Sequence, residues 1–174
     1  EEHRTDVLVL GSGGAGLFGA LHAKAANPDL EVTVAVKGLL GKCGCTRMVQ
    51  GGYNVALAPG DSAERHFMDT VDGIRELENE LGCFFDRNPD GSVHQKAFAG
   101  QTFDRTVHKG DLTGIEIINR LSEQVWARDI KRLEDHRAVA LVPAKDGSGI
   151  AGVLMIDMPA GTFRLVRAAA VLLA

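Results

Sequence analysis

The first forty residues alternate between apolar runs and a glycine-rich break, in an order that predicts strand, helix and strand. Residues 6–10, DVLVL, are a short run of β-forming residues and predict a buried strand. Beyond a cluster of glycines, apolar residues recur at helical spacing until Asn27 and Pro28, which predict the end of a helix. Residues 30–36 then alternate, with three valines on one face, and predict a second strand. The three elements together have the order of a βαβ unit.

The rest of the chain predicts two more helices and a set of paired strands. Amphipathic spacing predicts packing helices over 74–82 and 114–126, and the sequence NPDG at 88–91 predicts a turn. Further β runs, the first two joined by a hairpin over 145–149, cover 138–143, 150–158, 163–167 and a closing stretch, 168–174, that predicts a buried parallel strand. The pattern as a whole predicts an α/β domain with a parallel sheet plus a β-meander.

Composition narrows the class of protein. With 45% hydrophobic and 24% charged residues among 174, the chain can bury a core and is typical of one globular domain. A net charge of −4, with no basic run longer than two residues, makes nucleic acid an unexpected partner. The longest uncharged apolar run, 168–174, is far shorter than the roughly 20 residues that cross a bilayer, so we expect no transmembrane segment. We expect a cytoplasmic protein, for which peripheral docking on the cytoplasmic face of the inner membrane stays open.

The glycine cluster after the first predicted strand is the most specific motif. Residues 11–16 read GSGGAG and satisfy G-x-G-x-x-G between a predicted strand and a predicted helix. Gly11 permits the tight turn, Gly13 lets backbone N–H groups approach a diphosphate, and Gly16 lets the helix lie close to the strand. The helix N-terminus then faces the phosphate charge, so the motif predicts dinucleotide binding. The other members of this segment are Ser12, Gly14 and Ala15.

The end of the second predicted strand lacks one part of an ordinary NAD site. An acidic residue at that place usually binds the ribose hydroxyls of NAD. Here Val36 and Lys37 occupy it, and Glu31 lies too early in the strand. NAD is therefore less expected than another dinucleotide.

The loop GKCGCTRMVQGG at 41–52 raises the question of a metal or a reactive thiol. Cys43 and Cys45 form a C-x-C pair, but the nearby sequence offers no further ligands, so no metal site is predicted. Reduced thiols are the default in a cytosolic protein, and this applies to Cys83 as well. Small residues and glycines instead allow the loop to approach a bound group closely.

Several stretches resemble the flavoprotein subunits of succinate dehydrogenase and fumarate reductase, together with their relative L-aspartate oxidase. They are DVLVLGSGGAG at 6–16, Thr46 with QGG at 50–52 and NVAL at 54–57, HFMDT at 66–70 with Gly73, and, more weakly, FAGQ at 98–101 with DLTG at 111–114. These stretches span nearly the whole chain. The resemblance implies a Rossmann-like FAD-binding domain.

By this resemblance the cofactor is FAD, and the loop after the second strand runs along the flavin. Backbone N–H groups of such a loop can stabilise negative charge on a reduced flavin. In the family, the strand near Ala138 passes the adenine. The implied FAD contacts outside the 11–16 turn are Val36, Lys37, Cys45, Thr46, Gln50, Gly51, Gly52 and Ala138.

The resemblance also implies substrate contacts at Gly52, Phe98 and Gln101, of which Phe98 matches a family phenylalanine beside the dicarboxylate. Packing of Phe98 in a core is an equal alternative, and Gln101 fits an exposed loop amide as well. The histidines have no base or orienting partner at a recognisable spacing, so no residue of the chain is assigned a catalytic role.

Cys45 stands where respiratory members of the family carry a histidine bonded covalently to FAD, and where L-aspartate oxidase has a serine. A thioether between Cys45 and the flavin is possible in principle. A small side chain packed against the ring is the favoured interpretation, so we expect non-covalent FAD.

The implied activity is the interconversion of succinate and fumarate, with hydride passing between flavin N5 and a C4-dicarboxylate and electrons exchanging with an iron–sulfur partner protein. An enzyme similar to L-aspartate oxidase is one alternative, and a non-redox nucleotide-binding module is another. The family pattern has a gap after Gly73, and the capping domain and C-terminal half of the family are absent from 1–174. We therefore expect a partial FAD-binding domain.

Overall fold

The computed structural model describes residues 1–48, 60, 62–97 and 103–174. Their elements follow one another as β1 (Glu2–Leu10), α1 (Gly14–Ala26), β2 (Val32–Ala35), a short 3-10 helix (Cys45–Met48), α2 (Ala63–Asn79), β3 (Gln95–Lys96), β4 (Thr106–Val107), α3 (Thr113–Ala127), β5 (Lys131–Leu133), β6 (His136–Pro143), β7 (Ile150–Asp157) and β8 (Thr162–Leu173). The chain divides into two compact units, one formed by Glu1–Arg47 with Leu121–Ala174 and the other by Met48–Arg120.

A six-stranded sheet in the order β5-β2-β1-β8-β7-β6 forms the first unit. The strands β5, β2, β1 and β8 are parallel to their neighbours, and β7 and β6 continue the sheet as an antiparallel meander. The side chains of Leu8, Val34, Val153 and Val166 are completely buried, so both parts of the sheet contribute to the core. The predicted parallel sheet plus β-meander is confirmed.

The first strand is longer than its apolar run predicts. It begins at Glu2, because the polar residues before Asp6 pair with β8, as Glu2 does with Leu165. A buried polar chain supports this part of the strand: the Thr33 hydroxyl donates to Thr5 Oγ1 at 3.0 Å, and Thr5 Oγ1 donates to the Glu31 carbonyl at 2.6 Å. A strand whose polar groups find such partners does not need an apolar sequence.

The predicted division of 163–167 and 168–174 into two strands is wrong. The two runs form one strand, β8, whose first half pairs antiparallel with β7 and whose second half pairs parallel with β1. The expected burial of its end is also wrong, since Leu172 and Leu173 are 40% and 65% exposed. An apolar sequence records a preference for burial, whereas actual burial depends on which elements pack on the sheet.

The helices agree with the predicted pattern in type and differ in extent. Helix α1 ends at Ala26, next to the predicted stop, and α3 buries Ile118, Leu121 and Val125 as its spacing predicts. Helix α2 begins at Ala63, well before the predicted start, with the Ser62 hydroxyl accepting a hydrogen bond from the Arg65 N–H at its N-terminus. Among the described residues, no helix combines the length and the apolar character needed to cross a membrane.

The second unit contains α2 and a two-stranded sheet of β3 and β4. The predicted turn at 88–91 is present, with the Gly91 N–H donating to the Asn88 carbonyl at 2.9 Å and Gly91 at a φ of 86°. A bridge between Arg87 and Val93 closes this turn. The extended segment that follows it leads into β3.

Gly152 of β7 provides a test of the close packing between β7 and β8. A Cβ at this position would overlap the Val166 carbonyl oxygen and lie 3.1 Å from Arg167 Cα. We expect Gly152→Ala to lower the free energy of unfolding by about 1–3 kcal/mol, as overpacking does in a sheet interior. Gly149→Ala is the matched control, because a Cβ there meets nothing within 4 Å, and it should change stability by less than about 0.5 kcal/mol. Equal denaturant midpoints for the two variants would contradict the described packing.

Candidate cofactor-binding site

The glycine turn between β1 and α1 is so tightly packed that two of its positions cannot carry a side chain. Gly11 has a φ of 118°, and a Cβ on it would overlap the Ala174 carbonyl oxygen. A Cβ on Gly16 would overlap the Gly11 carbonyl oxygen. The Gly11 N–H donates to the Ala35 carbonyl at 3.0 Å, which fixes the turn to the end of β2. These are the roles of the first and third glycines in the dinucleotide fingerprint: tight turn and close helix–strand approach.

The middle of the turn is more open. A Cβ on Gly13 would meet only Thr46 Oγ1, at 3.5 Å, within 4 Å among the described residues. Gly13 is the N-cap of α1 and makes no side-chain capping bond, and the first turn of α1, all of which is described, contains no acidic residue. The positive end of the helix is therefore not neutralised from within the helix, and an anion such as a diphosphate is well suited to it.

Thr46 supplies the cap that α1 lacks. Its Oγ1 accepts a hydrogen bond from the Gly14 N–H at 2.8 Å, although the two residues are 32 apart in the sequence. A free first-turn N–H costs stability unless a side chain or water satisfies it. The loop after β2 is thus hydrogen-bonded directly to the glycine turn, which brings two predicted parts of the site together.

The rest of this loop follows the same turn closely. Gly44, at a φ of 98°, lies against the backbone of Gly13, since a Cβ on it would be 3.5 Å from Gly13 Cα. The Cys43 thiol lies 3.9 Å from Ser12 Oγ and donates to the Leu39 carbonyl at 3.4 Å. Cys43 is partly buried, whereas Cys45, at the start of the 3-10 helix, is exposed.

Arg47 holds the loop in shape. Its guanidinium donates to the Gly41 carbonyl at 2.9 Å. Gly41 itself has a φ of 70° and lies so close to Ser122 that a Cβ would be 2.7 Å from the Ser122 hydroxyl oxygen. A role for Arg47 in the folded loop follows from this contact.

The end of β2 connects the predicted residues Val36 and Lys37 to the meander. Val36 is buried, its N–H donates to the Leu133 carbonyl at 2.9 Å, and its carbonyl accepts from the His136 N–H at 3.0 Å. Lys37 and Ala138 are both exposed and available to a bound molecule. Glu31, at the other end of β2, pairs with Lys131 at 3.2 Å, so it does not replace the missing acidic residue.

The turn between β5 and β6 brings polar residues to this place that the sequence did not indicate. A Glu134 carboxylate oxygen accepts the Leu40 N–H at 2.7 Å, and the Asp135 N–H donates to the Gly38 carbonyl at 3.0 Å. His136 Nδ1 donates to the Glu134 carbonyl at 2.6 Å. Its Nε2 is buried with no hydrogen-bond partner among the described residues, 3.5 Å from an Asp157 carboxylate oxygen. No sequence signal marked these residues, because they reach β2 only through the pairing of β5.

Five of the predicted site residues lie outside the described residues. They are Gln50, Gly51 and Gly52 of the flavin-side loop and Phe98 and Gln101 of the predicted substrate contacts. Their roles stay predictions.

The second unit contains a histidine chain whose partners the sequence spacing did not reveal. His108 Nδ1 lies 3.3 Å from both an Asp86 carboxylate oxygen and the Gly110 carbonyl, which can only accept, so this nitrogen donates. His94 Nδ1 lies 2.6 Å from His108 Nε2. A hydrogen bond from the Gly110 N–H, followed by one from Lys109, holds the pKa of Asp86 below its usual value. Asp86 is thus an ionised orienting partner for the imidazole pair.

The sequence profile of a family described as an FAD binding domain matches residues 6–81 and 72–174. The chain belongs to this FAD-binding domain family. The resemblance found in the sequence is therefore confirmed, and FAD is the cofactor of the family.

Individual relatives agree with this assignment. The chain is 38% identical to a fumarate reductase (CoM/CoB) flavoprotein relative from Methanothermobacter marburgensis, over 94% of the chain and 34% of that protein. It is 34% identical to an L-aspartate oxidase from Streptomyces coelicolor, over 90% of the chain and 30% of that protein. A solved quinol fumarate reductase structure from Escherichia coli matches with a TM-score of 0.81 and 28% identity, over 100% of the chain and 33% of that chain. The chain spans about a third of the length of these relatives.

The geometry fits the cofactor of the FAD-binding family. Glycines stand where side chains would collide, the helix N-terminus is free of acidic side chains, and the loop from β2 lies against the same turn. Thr46 and the turn are the parts of the predicted site that the structure brings together directly.

Replacement of Thr46 tests whether its hydroxyl caps α1. We expect Thr46→Val to lower the free energy of unfolding by about 1 kcal/mol, because the Gly14 N–H loses its partner. Thr46→Ser should retain most of the stability. Chemical denaturation measures both. Thr70→Val is a control, since the exposed Thr70 hydroxyl only donates to the His66 carbonyl within α2. A Thr46→Val variant as stable as Thr46→Ser would exclude the capping role.

Proposed function

We propose that the chain is part of the FAD-binding domain of an oxidoreductase that interconverts succinate and fumarate. Membership of the FAD-binding family supports the cofactor, and relatives named as fumarate reductases, matched over nearly the whole chain, support the reaction type. Because the chain covers about a third of those relatives, the activity of the whole protein is inferred from them.

The observation that carries this proposal is the hydrogen-bonded junction of the 11–16 turn with the loop that contains Thr46. The turn presents the uncapped end of α1 for a diphosphate, and the loop continues toward the predicted flavin contacts at Gln50, Gly51 and Gly52. A nucleotide-binding turn alone would fit many dinucleotides. Its direct connection to this loop is what favours a flavin.

The described residues would bind and orient the cofactor. Backbone N–H groups around Gly13 would hold the diphosphate, and the exposed Lys37 would place a positive charge near the end of β2. Cys45 and Thr46 would position the loop, and Ala138 would lie beside the adenine. When bound, FAD supplies the hydride transfer.

The substrate and partner follow from the relatives. A C4-dicarboxylate would contact Gly52, Phe98 and Gln101, and an iron–sulfur protein would exchange electrons with the flavin. Peripheral attachment to the cytoplasmic face of the inner membrane is the location that such an assembly favours. No residue of the chain is given a catalytic role.

Two observations support the proposal that the family pattern is interrupted after Gly73. The alignment with the methanogen relative extends over 189 positions, more than the 174 residues of the chain, so the relative has residues opposite gaps. The family profile also matches twice, and both matches include 72–81. A second copy of part of the profile is expected where the intervening segment is short or missing.

An enzyme similar to L-aspartate oxidase is the second candidate. Cys45 takes the place of the histidine that binds FAD covalently in respiratory members, and the Streptomyces coelicolor relative supports this alternative. A non-redox nucleotide-binding module is the third candidate, and it predicts a colourless protein.

Gly13→Ala tests the FAD site without disturbing the fold. Gly13 has a φ of −73° and room for a methyl group, so the variant should fold normally. The methyl group would stand where the diphosphate approaches, and we expect FAD affinity to fall about tenfold or more. Titration with FAD, followed by flavin fluorescence, measures the effect, with Gly149→Ala as the control. Wild-type protein that binds no flavin, or a Gly13→Ala variant with unchanged affinity, would contradict the proposal.

Activity distinguishes the enzyme candidates. In the protein expressed from its complete gene, we expect succinate oxidation and fumarate reduction with an artificial electron carrier, and acid denaturation should release all FAD from the polypeptide. Oxidation of L-aspartate with oxygen as acceptor, without succinate oxidation, would favour the second candidate. Flavin that stays on the denatured chain would show a covalent bond and overturn the non-covalent prediction.

A further inference from the structure

The Cys43–Gly44–Cys45 segment combines two thiols with a sharp change of chain direction. The chain bends at Cys43 and Gly44, and Gly44 has a φ of 98°. Cys45 is exposed, and Cys43 is partly buried, so one thiol is open to a dissolved reagent and the other lies just behind it. Neither thiol has a role in the flavin chemistry proposed above.

The spacing permits a bond between the two sulfur atoms. Residues two apart have Cα atoms separated by at most about 7.6 Å, two trans peptide steps, and a bend shortens this distance. Disulfides usually join Cα atoms about 4.4 to 6.8 Å apart. The glycine between the cysteines adopts a left-handed conformation at low cost, so the segment can adjust its bend as the bond forms.

This segment is mechanically connected to the helix that faces the diphosphate. Cys43 contacts Ser12 at 3.9 Å, Gly44 lies against Gly13, and Cys45 is followed at once by Thr46, whose hydroxyl caps α1. Closing a bond between the sulfurs requires the Cys43 thiol to leave the Leu39 carbonyl. The same movement turns Cys45 toward Cys43 and carries Thr46 with it.

We propose that Cys43 and Cys45 form a reversible disulfide that loosens the Thr46 cap on α1 and so weakens binding at the glycine turn. The oxidant is a small disulfide of the glutathione type. The Cys45 thiolate attacks one sulfur of glutathione disulfide and releases one glutathione thiolate. The Cys43 thiolate then attacks the Cys45 sulfur and releases the second glutathione. Two protein thiols lose two electrons and two protons, and one glutathione disulfide becomes two glutathione thiols.

The physical properties of such a bond suit a switch. A disulfide closed over a single intervening residue is strained and exposed, and bonds of that kind are easily reduced again. In a reducing compartment the thiols therefore persist, and the bond forms only when the disulfide pool becomes oxidised. The effect on FAD rests on the proposed function, whereas the thiol chemistry does not.

The test treats the purified protein with glutathione disulfide or with glutathione, then measures thiols, peptide mass and FAD affinity. We expect accessible and buried thiols, counted after denaturation, to fall from three to one, and the peptide containing Cys43 and Cys45 to lose the mass of two hydrogen atoms. The FAD dissociation constant should rise about fivefold, the factor that corresponds to one lost capping hydrogen bond. Later addition of a thiol reductant should reverse both changes.

Three variants give the test its controls. In Cys43→Ser and in Cys45→Ser, the ratio of FAD dissociation constants between oxidised and reduced protein should be one. Cys83→Ser should behave as the wild type, because Cys83 is buried, and burial, followed by the charge of Glu116, raises its pKa to about 11. A thiol count that stays at three, or a glutathione adduct that persists on Cys45, would overturn the proposal. A disulfide that forms without changing FAD affinity would overturn it as a switch, and absence of FAD binding in the reduced protein would overturn the proposed function while the mass measurement still decides the thiol chemistry.

Discussion

The hydrogen bond from the Gly14 N–H to Thr46 Oγ1 is the contact on which the arrangement of the site depends. Helix α1 starts from a glycine N-cap that makes no side-chain bond, so one of its free N–H groups must find a partner elsewhere. The loop after β2 provides it. As a result, the turn that suits a diphosphate and the loop that is expected to run along the flavin form one hydrogen-bonded structure, and anything that moves the loop also changes the end of the helix.

Close backbone packing keeps this junction in place. Gly11 and Gly16 leave no space for a side chain, and the Gly11 N–H is bonded to the end of β2. The long strand β8 lies beside β1 and continues into the meander, so the parallel and antiparallel parts of the sheet share one strand. Through the turn between β5 and β6, the meander also places His136 against Val36, beside the predicted adenine position. The nucleotide side of the site is therefore built from three separate parts of the chain.

The cysteines illustrate how one family position can acquire another use. A residue at the position of Cys45 carries a covalent flavin bond in respiratory relatives, and a small side chain there leaves FAD held by non-covalent contacts alone. Affinity then depends more strongly on the glycine turn and on its cap, because no covalent bond retains the cofactor. A pair of thiols next to that cap is well placed to adjust affinity. Cys83, buried in the other unit with a raised pKa, has no comparable access.

The sequence alone determined the features that depend on local pattern: the strand and helix around GSGGAG, the helix α3, the hairpin over 145–149 and the dinucleotide character of the glycine turn. These follow from residue spacing and from the conformational freedom of glycine, which act within a few residues. Only the tertiary structure decided which distant groups meet. It extended β1 back to Glu2, joined two predicted strands into β8, gave the three-residue strand β5 a partner in β2, and brought Thr46 to Gly14 and His136 to Val36. Each of these depends on pairing between residues far apart in the chain, and a local pattern carries no record of the partner.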